Sequence, residues 1–160
     1  MTEQINDGRR DFDFFMGEWK VHNRRLRERL KGCTDWEEFE ATCKAFPILG
    51  GLGNFDEITL RRESGDHLGA TIRLFNPKTQ EWSIYWSSNQ NPALDLPMVG
   101  GFKDGHGEFY AHEPFEGKMI FSRFIWTVFD QDHCRWEQAF SPDGGRTWET
   151  NWTMDNTRVE

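Results

Sequence analysis

The 160-residue chain is poor in cysteine: there are three, an odd number, and no C-x-x-C pair. That count and spacing exclude a disulfide framework and a structural zinc cluster. A reduced, cytoplasmic setting is the expectation. No run of about 18 apolar residues occurs, which removes a transmembrane helix. Residues Met1 to Arg10 are polar, with no apolar core for a signal peptide. Basic charge is also in deficit, with 19 Lys and Arg against 27 Asp and Glu, a net charge of −8. Nucleic acid and anionic membranes, which demand a basic face, are therefore not expected as partners. The local exception, Arg24 to Lys31, is interrupted by Glu28 and reads as a solvated strand end. The five histidines, His22, His67, His106, His112 and His133, form no H-E-x-x-H or H-x-H pair, and no metal site is expected. The glycine-rich Pro47–Asn54 segment lacks the G-K-[ST] ending of a phosphate loop and reads as a tight corner.

Aromatics are abundant instead: eight Trp and fourteen Phe, mostly on short alternating stretches closed by Gly, Asn, Asp or Pro. Trp82-Ser83-Ile84-Tyr85-Trp86, Ile120 to Trp126 and Trp148 to Trp152 are three of them. Period-two patterning with heavy aromatics predicts strands that pack one face inward. Strands are expected at 18–27, 36–46, 55–62, 68–75, 82–88, 99–102, 108–112, 118–129, 134–140 and 147–156. Asp11–Met16 reads as one short helical turn, residues 1–10 as a flexible arm, and 11–160 as one domain. Sequential short antiparallel strands favour an all-β, single antiparallel up-and-down β-barrel of about ten strands, which leaves no exposed sheet edge.

Alternation from Trp19 puts Val21 and Asn23 inward. It also puts Phe39, Ala41 and Cys43 on one face of the second strand. Trp82, Ile84, Trp86, Phe124, Trp126, Trp136, Gln138, Phe140, Trp148, Thr150 and Trp152 follow on later strands. A few polar groups, Asn23, Ser122, Gln138 and Thr150, in an aromatic lining match the anatomy of a small-molecule pocket. The opposite face would carry Arg73, Tyr85, Arg123, Glu137, Glu149 and Asn151. A one-residue slip exchanges the two faces. Glu57 is the acidic residue expected to point inward under either register. Ser141 to Trp148 matches the S-x-D-x-G-x-T-W box. A single copy predicts a hairpin turn, in which Asp143 accepts backbone N–H groups and the glycines supply positive φ.

Gly17-Glu18-Trp19, set after the short apolar turn and opening the first strand, resembles the start of the lipocalin and calycin barrels. In that resemblance Trp19 closes the narrow end of the barrel, and an arginine of the last strand, here Arg158, covers it. Three further stretches extend the likeness: Phe14 to Trp19, Ile48 to Glu57, and Leu74 to Trp86, with Trp136 to Trp152 at the end. Together they are similar to a bacterial family of uncharacterised lipocalin-like domains. The resemblance implies a barrel with an internal cavity and carries no assigned reaction.

The leading expectation is a barrel that binds a small apolar or aromatic ligand without a cofactor, through Trp19, Asn23, Glu57, Trp82, Trp86, Trp126, Gln138 and Trp152. The alternatives are three. A cofactor-independent isomerase, cyclase or decarboxylase would use Arg73, Tyr85, Arg123 and Glu137 on a small carboxylate. A haem-binding barrel would use one of the histidines. An interaction module would pair as a homodimer through the Asn89–Met98 loop.

Overall fold

Ten strands follow one another and close on themselves in a computed structural model that describes residues 7–159. They are β1 (Gly17–Leu26), β2 (Trp36–Ile48), β3 (Gly53–Arg62), β4 (Gly65–Asn76), β5 (Glu81–Ser88), β6 (Met98–Lys103), β7 (His106–Phe115), β8 (Lys118–Asp130), β9 (His133–Ser141) and β10 (Glu149–Val159). Each pairs antiparallel with its sequence neighbour, and β10 returns to β1, so the barrel is up-and-down and closed. The expected fold class is thus present, including the short N-terminal helical turn, here a 3-10 turn at Asp13–Phe15. Of the arm expected over 1–10, residues 1–6 lie outside the described residues. Gly8–Arg10 form a second 3-10 turn capped by Asp7. No helix among the described residues is long and apolar enough to cross a membrane.

Alternation decides which side chains fill the barrel. Trp19, Val21 and Asn23 of β1 are buried, and so are Phe39, Ala41, Cys43 and Ala45 of β2. The N-terminal segment plugs one end. Phe12 is buried, with ring centroids 5.0 Å from Trp82, 4.8 Å from Phe102 and 5.7 Å from Trp126, all edge-to-face. Phe15 stacks on Trp19 at 5.3 Å. Edge-to-face and offset pairs of this kind add about 0.5–1.5 kcal/mol each beyond area burial.

Trp19 pairs with Arg158 in the β1–β10 register, and the guanidinium lies 4.3 Å from the ring centroid. The expected cover is therefore in place. Arg158 does more than cover: Nη1 donates to Met16 O and Nη2 to Phe14 O, both at 2.6 Å, while Nε donates to Gln131 O at 2.9 Å. It ties the plug to the last strand. Gly17 has φ of +118°, and a Cβ there would stand 2.7 Å from Arg158 Nη1. The glycine of Gly-Glu-Trp is thus required twice, by its backbone conformation and by the arginine beside it.

The S-x-D-x-G-x-T-W segment is a turn, as expected. Asp143 accepts from Thr147 N at 2.9 Å and from Thr147 Oγ1 at 2.7 Å, and Gly144 and Gly145 have φ of 75° and 90°. Trp148 does not enter the barrel. It packs outside, 4.3 Å over the Arg123 guanidinium.

Candidate functional site: a cavity above the aromatic plug

Above the plug the barrel is not filled. A cavity of about 130 Å³ remains, walled by Trp86, Phe124, Trp126, Trp136 and Trp152 with Ile58, Ile84, Met98 and Met154. Its polar lining is Asp56, Thr71, Arg73, Asp95, Glu113, Gln138 and Asn156. Cavities of roughly 150 Å³ with apolar walls accept benzene, so this one has the size of a single aromatic ring.

The deep wall carries a buried ion pair. Arg73 Nη2 donates to Asp56 Oδ2 at 2.5 Å and Nη1 to Asn54 Oδ1 at 2.9 Å. Both charged side chains are 4% exposed. The guanidinium carbon lies 5.2 Å from the Phe12 and Phe15 centroids and 5.6 Å from that of Trp126. Two donors of this region, Arg73 Nε and Trp126 Nε1, are fully buried and have no acceptor among the described residues. Cys43, beside the pair, has its thiol pushed up by burial first and then by the Asp56 charge.

The open side is made by a short seam. β5 pairs with β6 only over Trp82–Ile84, so the upper half of β5 meets the 89–97 loop instead. Asp95 N donates to Trp86 O at 3.0 Å, which holds Asp95 and Leu96 against the cavity rim. Glu113 of β7 faces the same space. Partial desolvation raises both carboxyls above their ordinary values, Asp95 while still exposed at the rim, and for Glu113 the Asp95 charge adds to it. Elsewhere on the rim Arg25 stacks 5.0 Å over Trp152 and is lowered to about 10, by burial first and then by Arg29 and Arg62.

Gly69 of β4 shapes one wall. A Cβ there would come within 2.0 Å of the Trp86 ring, so the indole lies directly on the backbone of the neighbouring strand. A side chain at 69 must displace it.

The expected ligand set divides. Trp86, Trp126, Gln138 and Trp152 line the cavity. Trp19 and Trp82 belong to the plug, where their indole N–H groups donate to Phe15 O at 2.8 Å and Gly8 O at 2.9 Å. Asn23 is fully buried beside the cavity wall and accepts from Trp152 Nε1 at 3.0 Å, fixing that ring. Glu57 points out and is exposed, contrary to expectation. It pairs across from Ala70, whereas its neighbour Asp56 takes the inward phase opposite Ala45 and Thr71.

The alternative catalytic set does not converge. Arg73 is inside, paired across from Ile84. Tyr85, Arg123 and Glu137 alternate with cavity-lining residues and take the outer face. The expectation that Arg73 shares their face is therefore corrected, and so is that for Asn151. The second error has a local cause. The β9–β10 register shifts between Thr150 and Trp152, so Asn151 is an extra residue and the phase flips there. Trp148 and Thr150 consequently leave the inner face while Trp152 stays on it. Asn151 is buried and accepts from Gln138 Nε2 at 2.9 Å. None of the five histidines lines the cavity, so a haem held there through a histidine, as expected from the sequence, has no ligand in it.

Asp56, Asp95, Glu113 and Asn156 are lining residues that the strand patterns did not single out. The Asn76–Glu81 hairpin closure holds a usable signal for Arg73: pairing Phe75 with Trp82 sets Arg73 beside Ile84. Nothing local marks Asp95, which a loop carries into the wall.

No family model matches the chain, and no curated protein does. Among solved structures, the S-type phycobiliprotein lyase CPES from Guillardia theta superposes with a TM-score of 0.61. The match covers 94% of this chain and 91% of that one at 8% identity. This likeness is one of fold.

Proposed function

We propose that the protein binds a small aromatic molecule, of the size of one substituted ring, in the cavity above the plug. The observation that carries the reading is the cavity itself: about 130 Å³, walled by four tryptophans and Phe124, in a barrel whose other end holds the buried rings of Phe12, Trp19 and Trp82. Apolar walls with a few convergent polar groups are the usual build of a ligand site. The three free cysteines, two of them buried, fit a reducing, cytoplasmic compartment. The structural neighbour is a lyase by name, so barrel form alone does not separate carrier from enzyme. The binder is favoured because only one member of the catalytic set, Arg73, reaches the cavity, and Asp56 already neutralises it.

Tryptophan fluorescence tests the reading, because Trp86, Trp126, Trp136 and Trp152 all border the space. Titration with single-ring compounds such as 4-ethylphenol and indole should give saturable changes, with Kd on the order of 10–1,000 μM for ligands this small. Fatty acids and haem, which exceed the cavity, should give none. Saturation by the large ligands alone would overturn it.

A further inference from the structure

The polar groups that line the cavity are not equally available. Gln138 Nε2 is spent on Asn151 Oδ1 at 2.9 Å, and Asn156 Nδ2 on the carbonyls of Cys134 and Met154, both at 3.3 Å. Those bonds settle which way each amide faces, and they leave Gln138 Oε1 and Asn156 Oδ1 over. Thr71 Oγ1 is the third such oxygen. None of the three has a hydrogen-bond partner among the described residues, and none is sealed in the wall, in contrast to Arg73 Nε and Trp126 Nε1. Thr71 is 7% and Asn156 4% exposed, so their open atoms look into the barrel and not into bulk solvent. The donors of the lining are mostly committed. Arg73 Nη1 and Nη2 are held by Asn54 and Asp56, and Trp152 Nε1 by Asn23. Only the indole N–H groups of Trp86 and Trp136 remain unspent among the described side chains of the lining. Against them stand the three open oxygens and the carboxylates of Asp56, Asp95 and Glu113, so the cavity offers more acceptors than donors.

We propose, building on the binding reading above, that the ligand is an aromatic ring bearing an O–H or N–H donor (a phenol, an aniline or an N–H heterocycle), which Thr71 Oγ1, Gln138 Oε1 or Asn156 Oδ1 accepts. A ring that fills this space expels water from it. Each open oxygen of the wall then either meets a donor on the ligand or stays unpaired in apolar surroundings, at a cost in free energy. A site of this kind discriminates against an analogue that lacks the donor more strongly than an apolar wall discriminates by size.

Four probes of nearly one shape test this by calorimetry on the full chain. 4-Ethylphenol and 4-ethylaniline carry a donor, ethylbenzene carries none and is smaller, and 4-ethylanisole keeps the oxygen without its hydrogen. The two donors should bind at least about tenfold more tightly than ethylbenzene, and 4-ethylanisole should rank with ethylbenzene. The same titrations on Thr71→Val, Gln138→Met and Asn156→Leu locate the acceptor: in at least one of them the ratio of 4-ethylphenol to ethylbenzene affinity should fall towards one. Using the ratio cancels any general effect of a substitution on the barrel, and Thr71→Val and Gln138→Met keep the side-chain shape close to the original. If ethylbenzene binds as tightly as 4-ethylphenol, donor recognition is wrong while the cavity reading stands. If the wild-type ratio survives in every variant that retains the wild-type fold, the donor is met elsewhere and the proposal is overturned. If none of the four probes binds, both readings fall.

Discussion

At the closed end of the barrel Trp19 and Trp82 donate to backbone carbonyls, Phe12 meets the rings of Trp82, Phe102 and Trp126, and Arg158 spends all three guanidinium nitrogens on the plug and its neighbouring loop. Next to it, where the cavity begins, the same chemistry is incomplete. Among the described residues Trp126 Nε1 and Arg73 Nε are buried without an acceptor, and the carboxylates of Asp95 and Glu113 line the space. Both regions are aromatic and walled by the same strands. Composition therefore does not distinguish structural filling from a site; hydrogen-bond satisfaction and packing do.

The contrast can be broken from either side. The largest effects belong to the plug and the buried pair. Trp19→Ala removes a fully buried ring and should cost about 3–5 kcal/mol, read as a fall in the midpoint of urea unfolding. Asp56→Ala leaves the Arg73 charge buried and alone, also at about 3–5 kcal/mol. The Asp56→Leu/Arg73→Leu double variant should cost far less than the two single variants summed, because no unpaired charge remains. A strictly additive double variant would show that the two side chains do not act as a pair.

Arg158→Met comes next. It strips the cover from Trp19 and leaves the Met16 and Phe14 carbonyls without their donor, for about 1–3 kcal/mol. Gly69→Ala sharpens the other half of the comparison. Its methyl must push the Trp86 ring off the strand, an overpacking cost of about 1–3 kcal/mol, and it should weaken ligand binding while leaving the plug intact.

The smallest effect lies outside the barrel. Hydrogen bonds from Thr147, first its side chain and then its backbone, hold Asp143 at about 2, below its ordinary 3.8. Because the folded value is the lower one, this contribution is present above about pH 3.8 and fades as the pH falls towards 2. Acid titrations of wild type and Asp143→Asn should therefore diverge above that window and converge below it.

Architecture was legible because aromatic alternation and turn residues agree at every strand, from Trp19 on β1 to Trp152 on β10. The plug was legible too, since Gly17, Trp19 and Arg158 carry positional constraints that survive in sequence. The site was legible only in part. Alternation finds Trp86, Trp126 and Trp152, but one extra residue at Asn151 inverts the phase for Trp148 and Thr150. Glu57 and Asp56 are adjacent carboxylates, and only the pairing of β3 with β2 and β4 decides which one turns inward. Asp95 depends on a loop folding back onto Trp86 O, a contact that no strand periodicity encodes.

The most direct test of the cavity as a binding site is calorimetry with 4-ethylphenol on wild type and on Thr71→Leu, which places a larger side chain in the cavity wall. Saturable binding to wild type that is lost in Thr71→Leu, with the thermal midpoint of the variant within a few degrees of wild type, is the predicted result. Equal binding to both proteins would contradict it, because the ligand would then sit elsewhere.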